Sequence, residues 1–82
     1  MSRLYAKHKT EEHKEIVYGY DMFPPSYFYQ KIDHKEGDRD EEYITEFAGY
    51  VNPISNGTML DAIQDYDIPE SDIQKIAMDL PI

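Results

Sequence analysis

The 82-residue chain has no cysteine, no tryptophan and only four glycines, and it has no apolar run near the roughly 20 residues that a membrane-spanning helix needs. Without cysteine, neither a disulfide framework nor a cysteine-based zinc site can form, which suits a reducing compartment. With so few glycines there is no glycine-rich phosphate loop. The opening Met1-Ser-Arg-Leu-Tyr-Ala-Lys-His8 carries no signal-peptide core, so the expected location is cytoplasmic and no membrane partner is expected. At this length the chain is one domain, near the lower limit for a single hydrophobic core.

Basic residues are scarce in one half only. Residues 1–35 hold six basic and five acidic side chains, whereas residues 36–82 hold two basic (Arg39, Lys75) and twelve acidic, and the formal net charge is -9. The second half repels nucleic acid and attracts basic surfaces, most strongly at low salt. Direct nucleic-acid binding is therefore not expected. The acidic side chains offered for docking on a basic protein surface are Glu36, Asp38, Asp40, Glu41, Glu42, Asp61, Asp65, Asp67, Glu70 and Asp72.

What the chain does have is a concentration of bulky side chains between Ile16 and Ile32. Residues 1–13 show no stable period and read as an arm or a short first strand, with residues 14–82 forming one α+β domain. From Lys14, β-branched and aromatic residues dominate, with Ile16, Tyr18 and Tyr20 on one face, as a strand requires. Gly19 inside that run suggests a bulge or a close backbone approach. Pro24-Pro25 interrupts the sheet, because proline cannot donate a ladder hydrogen bond. The alternation then resumes from Ser26 to Asp33, with Phe28, Gln30 and Ile32 opposite Tyr27, Tyr29 and Lys31; an antiparallel pair joined through residues 21–25 follows.

The run from His34 to Glu42 has no apolar residue and reads as a solvated loop. A third strand is expected over Tyr43 to Val51, with Tyr43, Thr45 and Phe47 chosen as its core face. Thr58 is the expected cap of a helix with the stripe Met59, Ala62, Ile63 and Tyr66. A last helix starts near Pro69, carries Ile73, Ile76, Ala77 and Leu80, and stops at Pro81. The expected fold is a three-stranded antiparallel sheet followed by two short helices on one face, in the order β-β-β-α-α.

Chemical motifs fail on particulars. A helix-turn-helix reading would send Glu70, Asp72 and Asp79 into a major groove with only Lys75 to oppose them. An EF-hand aligned on Gly37 puts Ile32, His34 and Glu36 at the first three ligand positions, and Ile32 cannot ligate calcium. His8, His13 and His34 lack the i, i+4 spacing of a helical zinc pair. No cofactor, metal or catalytic set is expected.

Eight tyrosines are more than a core this small can bury with every hydroxyl satisfied. Tyr18, Tyr20, Tyr27 and Tyr29 therefore form a candidate aromatic binding surface, set against the alternative that these rings make the core with hydroxyls at its rim. Gly19-Tyr20-Asp21, Tyr27-Phe28-Tyr29-Gln30 and Met78-Asp79-Leu80-Pro81-Ile82 resemble segments of a group of small bacterial proteins common on plasmids and other mobile elements. Pro24-Pro25 departs from the group's simpler turn, and the resemblance implies no catalytic residue or cofactor.

Three functions follow from these features. The first is a non-catalytic acidic module docking on a basic surface, including the case of a DNA-mimicking inhibitor encoded by a mobile element. The second is a module that self-associates, as a homodimer, or binds a partner through its tyrosine-bearing strands, with acidity serving solubility. The third is a small hydrolase or metal-dependent enzyme, whose structural sign would be a cleft with two or more convergent carboxylates.

Overall fold

The computed structural model describes residues 3–22, 25–34 and 42–82. Their order is β1 (Leu4–Lys7), β2 (Lys14–Met22), β3 (Pro25–His34), β4 (Glu42–Ala48), α1 (Asn56–Ile63) and α2 (Glu70–Ala77). The fold is α+β with an antiparallel sheet and two helices, but the sheet has four strands rather than three. The added strand is β1, drawn from the segment read as an arm or a short first strand. Four residues with one buried side chain, Ala6, are too few to display a period.

The sheet is a meander, β1-β2-β3-β4, with each strand hydrogen-bonded to its neighbours in sequence. The β2–β3 ladder is unbroken from Lys14↔Asp33 to Met22↔Pro25, so Gly19 sits opposite Phe28 without a bulge. The irregularity falls instead between Lys31 and Ile32, where pairing passes from Glu46 to Ile44 and leaves Thr45 as the extra residue. One inserted residue breaks the period of two, so Ile44 and Phe47 share a face. The expected core face of β4 is thereby overturned: Glu46 and Ala48 point toward the helices, and Phe47 points away and is 61% exposed.

On the helix side, Ala6, Ile16, Tyr18, Tyr27 and Tyr29 meet Met59, Ala62, Ile63, Tyr66, Ile68 and Ile76. Ile16, Met59 and Ile76 are completely buried, and burial of side chains of this size contributes about 1.5–3 kcal/mol each. The tyrosines satisfy their hydroxyls by reaching through the core to its rim. Tyr18 donates to Asp72 Oδ2 at 2.8 Å, Tyr29 to Glu46 Oε2 at 2.7 Å, and Tyr27 to the Leu80 carbonyl at 2.7 Å with the Asp79 carboxylate beside it. The three phenols thus tie β2 to α2, β3 to β4, and β3 to the C-terminal segment.

The cap of α1 is Ser55 rather than Thr58; its Oγ accepts the Thr58 N–H at 3.2 Å. Asn56, in the first turn, donates its amide to the Ile76 and Ala77 carbonyls and joins the start of α1 to the end of α2. Pro69 does open α2, but Pro81 does not end it. The Asp79 N–H bonds the Ile76 carbonyl and the Leu80 N–H bonds the Lys75 carbonyl, closing the helix in a Schellman motif with Asp79 at φ 59°. The connection between the helices runs back along β1: the Asp67 N–H bonds the Lys7 carbonyl at 2.8 Å and the Lys9 N–H bonds the Asp65 carbonyl at 3.0 Å. That end of the β1 edge is therefore covered.

Candidate functional site

Because strand side chains alternate, fixing Ile16, Tyr18, Tyr27 and Tyr29 toward the helices sends their neighbours to the opposite face. Across it run the rows Tyr5, Val17, Gln30, Phe47 and Lys7, Glu15, Ile32, Ile44, with Phe28 opposite Gly19. No helix covers this face among the described residues. Val17, Phe28 and Ile32 are nevertheless buried, and an aromatic ring covers Phe28. Tyr50 lies over Phe28 with centroids 5.3 Å apart, and Phe47 meets Tyr50 at 6.1 Å.

Gly49 makes this cover possible. At φ +87° it adopts a conformation that side chains resist, and a Cβ there would lie 2.1 Å from the Tyr27 carbonyl oxygen and 2.7 Å from Phe28 Cα. The chain leaves β4 pressed against β3 and carries Tyr50 to Pro53 back along the open face. A pocket of about 80 Å³ lies under this segment, lined in part by Asp21, Ser26, Phe28 and Tyr50. Ser26 Oγ is used structurally: it donates to the Tyr27 carbonyl at 2.8 Å and accepts the Ile54 N–H at 3.1 Å.

The cover is itself left in solvent. Tyr5 is 63% exposed and Phe47 61%, and Ile44, Tyr50 and Val51 are also exposed, which makes one apolar surface over the buried Val17, Phe28 and Ile32. Charge of both signs lies toward the ends of this face: at one end Lys7 stands opposite Glu15, whose Oε1 is 2.7 Å from His34 Nε2, and at the other Asp21 lines the pocket under Tyr50. Burial pushes the Tyr50 phenol up, with the Arg3 charge opposing it.

The helix-side rim is chemically different. Burial, then the hydrogen bond to Glu46, pushes the Tyr29 phenol up to about 12, and the bond from Tyr29 leads in holding Glu46 below the usual carboxylate range. Lys31 Nζ is 3.4 Å from Glu46 and 5.8 Å from the Tyr29 and Tyr66 ring centroids. This cluster closes on itself and ties β3, β4 and the helix connection together.

The side chains singled out from the sequence distribute unevenly. Tyr18, Tyr27 and Tyr29 are buried in the core with their hydroxyls bonded at its rim, and Tyr20 is half-buried with its ring 5.1 Å from that of Tyr27. Glu36, Asp38, Asp40 and Glu41 lie outside the described residues, as does Gly37; Glu42 begins β4. Asp61, Asp65, Asp67 and Glu70 are exposed in the helical layer, and Asp72 is half-buried beneath the Tyr18 hydroxyl. Among the described residues no three His, Asp or Glu side chains stand where they could hold a metal ion.

The exposed residues that sequence reasoning missed are Tyr5, Ile44, Phe47, Tyr50 and Val51. Their signal was available only in part: once the tyrosine face is assigned to the core, alternation hands Phe28 and Ile32 to the other side, but the bulge at Thr45 and the turn at Gly49 have no local mark. No described helix is long and apolar enough to cross a membrane. Comparison with models of known protein families, with curated proteins and with solved structures finds no match to this chain.

Proposed function

We propose that this protein is a non-catalytic interaction module whose contact surface is the open face of its sheet. The observation that carries this reading is that one face of the sheet exposes Tyr5, Ile44, Phe47 and Tyr50, with Phe47 and Tyr50 in ring contact, around the buried Val17, Phe28 and Ile32. Contiguous exposed apolar area is uncommon on monomeric soluble proteins and marks contact surfaces. Tyrosine and phenylalanine suit that role because they offer large, stiff contact area at low entropic cost.

A second reading keeps the acidic surface as the binding site. Asp61, Asp65, Asp67 and Glu70 are exposed in the helical layer, where Lys75 is the basic residue of α2. A basic surface, such as the nucleic-acid channel of a host enzyme blocked by a mobile-element inhibitor, would dock there by charge. The two surfaces lie on opposite sides of the sheet, which makes them separable.

Affinity capture from the native cell tests both, using the wild type, a Tyr5→Asp/Phe47→Asp variant and an Asp61→Asn/Asp65→Asn/Asp67→Asn/Glu70→Gln variant at low and high salt. The first reading expects a partner that persists at high salt and is lost with the sheet-face variant. Loss at high salt, together with loss in the helical-layer variant only, would transfer the function to the acidic side.

A further inference from the structure

Resting on the reading of the open face as the contact surface, we infer that its occupant is a second copy of this chain, stacked sheet to sheet about a two-fold axis. Three observations lead to this occupant. The first is charge. The chain as a whole is at -9, yet on this face Lys7 stands opposite Glu15, and at the other end the Arg3 charge reaches Tyr50 while Asp21 lines the pocket beneath that ring, so both signs are present and a like copy meets less repulsion here than at the helical layer. A strongly basic partner would be drawn to the helical layer instead.

The second is where stacking leaves the acidic groups. Sheets pack about 10 Å apart, and each copy's helices lie on the far side of its own sheet, so the two acidic layers end more than about 20 Å apart. That exceeds the Debye length of about 8 Å at physiological ionic strength, and their repulsion is largely screened. The third is the shape of the surface. A side-by-side dimer through the β1 edge is obstructed at Lys7 to Lys9 by the Asp65 to Asp67 segment, whereas the part of the face that holds Tyr5, Gln30, Ile44 and Phe47 is covered by no helix among the described residues, the Tyr50 to Pro53 segment lying over the Phe28 end.

Area sets the size class. Strands of 4, 9, 10 and 7 residues, at about 3.3 Å per residue and about 4.8 Å spacing, span roughly 480 Å². Two such faces bury on the order of 1,000 Å², the low end for specific complexes. At that size the dimer belongs with weak, reversible complexes. In it Phe47 and Tyr5 are buried between copies, while Asp61 stays in solvent.

Sedimentation equilibrium from about 5 μM to 1 mM at 0.15 M salt tests the inference. The wild type is expected to move from one chain toward two, Phe47→Asp to shift that transition by about tenfold or more in concentration, and Asp61→Asn to leave it in place. Tyr5→Asp serves as the second face variant, with far-UV circular dichroism as the folding check on both. Because the native chain has no cysteine, oxidation of Gln30→Cys, at the centre of the face, should yield linked dimers faster than Asp61→Cys.

A single-chain mass at 1 mM, or association indifferent to both face variants, overturns the dimer. Nile red fluorescence separates that failure from failure of the surface reading. Dye bound by a monomeric wild type and lost in Phe47→Asp leaves an apolar contact face awaiting a different partner; no dye response and no association remove both.

Discussion

Gly49 and Gly57 have opposite requirements although both lie near the sheet-to-helix connection. At Gly49 the backbone is left-handed and a Cβ has no space between Tyr27 and Phe28, whereas at Gly57 the nearest atom is Ser55 Oγ at 3.9 Å. Gly49→Ala should therefore cost about 3 kcal/mol, from the left-handed conformation and the overpacking together. Gly57→Ala, in the first turn of α1, should gain up to about 0.5–1 kcal/mol. Urea midpoints for the two variants measure the contrast; equal effects would contradict the close approach. The buried phenols make a second prediction. Burial leads the upward shifts of Tyr18, Tyr27, Tyr29 and Tyr66, with Tyr29 at about 12. An unfolded phenol titrates near about 10, so between these values the native state holds protons that the unfolded state has released. The stabilisation is fully present below about pH 10 and is lost as pH rises toward the folded values. Unfolding free energy should stay level in this respect to about pH 9.5 and fall above about pH 10, and tyrosinate absorbance should rise together with loss of structure.

At the level of elements, the β4-to-α1 connection depends on few contacts. The Ile54 N–H is received by Ser26 Oγ, which is buried in β3. Ser26→Ala leaves that N–H without its acceptor and should cost about 1–2 kcal/mol, with hydrogen exchange at Ile54 accelerating more than exchange in the centre of β2. Similar local exchange throughout would mean that this bond does not hold the connection. The end of α2 shows how one element can stop without the residue that composition suggests. Asp79 occupies the left-handed position usually given to glycine, and the Schellman bonds end the helix before Pro81 is reached. The expected apolar stripe of α2 is correspondingly thin: Ile76 is completely buried, whereas Ile73 and Leu80 keep partial exposure and Ala77 faces solvent.

For the whole molecule, the two layers separate two kinds of surface. The helical side carries acidic side chains from Asp61 to Asp72, and the far side of the sheet carries apolar ones. A net charge of -9 on 82 residues makes self-repulsion a molecular property. Raising salt from about 10 mM to 150 mM shortens the Debye length from about 30 Å to about 8 Å, so the thermal midpoint at low protein concentration should rise by a few degrees. A midpoint that falls with salt would mean that attractive ion pairs such as Lys31–Glu46 outweigh the repulsion.

The sequence by itself determined the α+β class, the β2–β3 pair, the two faces of that pair and the existence of both helices, because these rest on local periods and on proline and capping chemistry. It also placed Tyr18, Tyr27 and Tyr29 on one face with Ile16. Which of the two faces would be covered depended on interactions between residues such as Tyr18 and Asp72, 54 positions apart, and only tertiary packing decided it. The same applies to β1, whose four residues become a strand because β2 and the Asp65 to Asp67 segment supply partners on both sides. It applies as well to Phe47, where one inserted residue at Thr45 and the close passage at Gly49 turn a residue expected in the core outward. The candidate site was thus hidden for a physical reason: it is the complement of the core, and a chain cannot show which apolar face stays bare until its helices have covered the other.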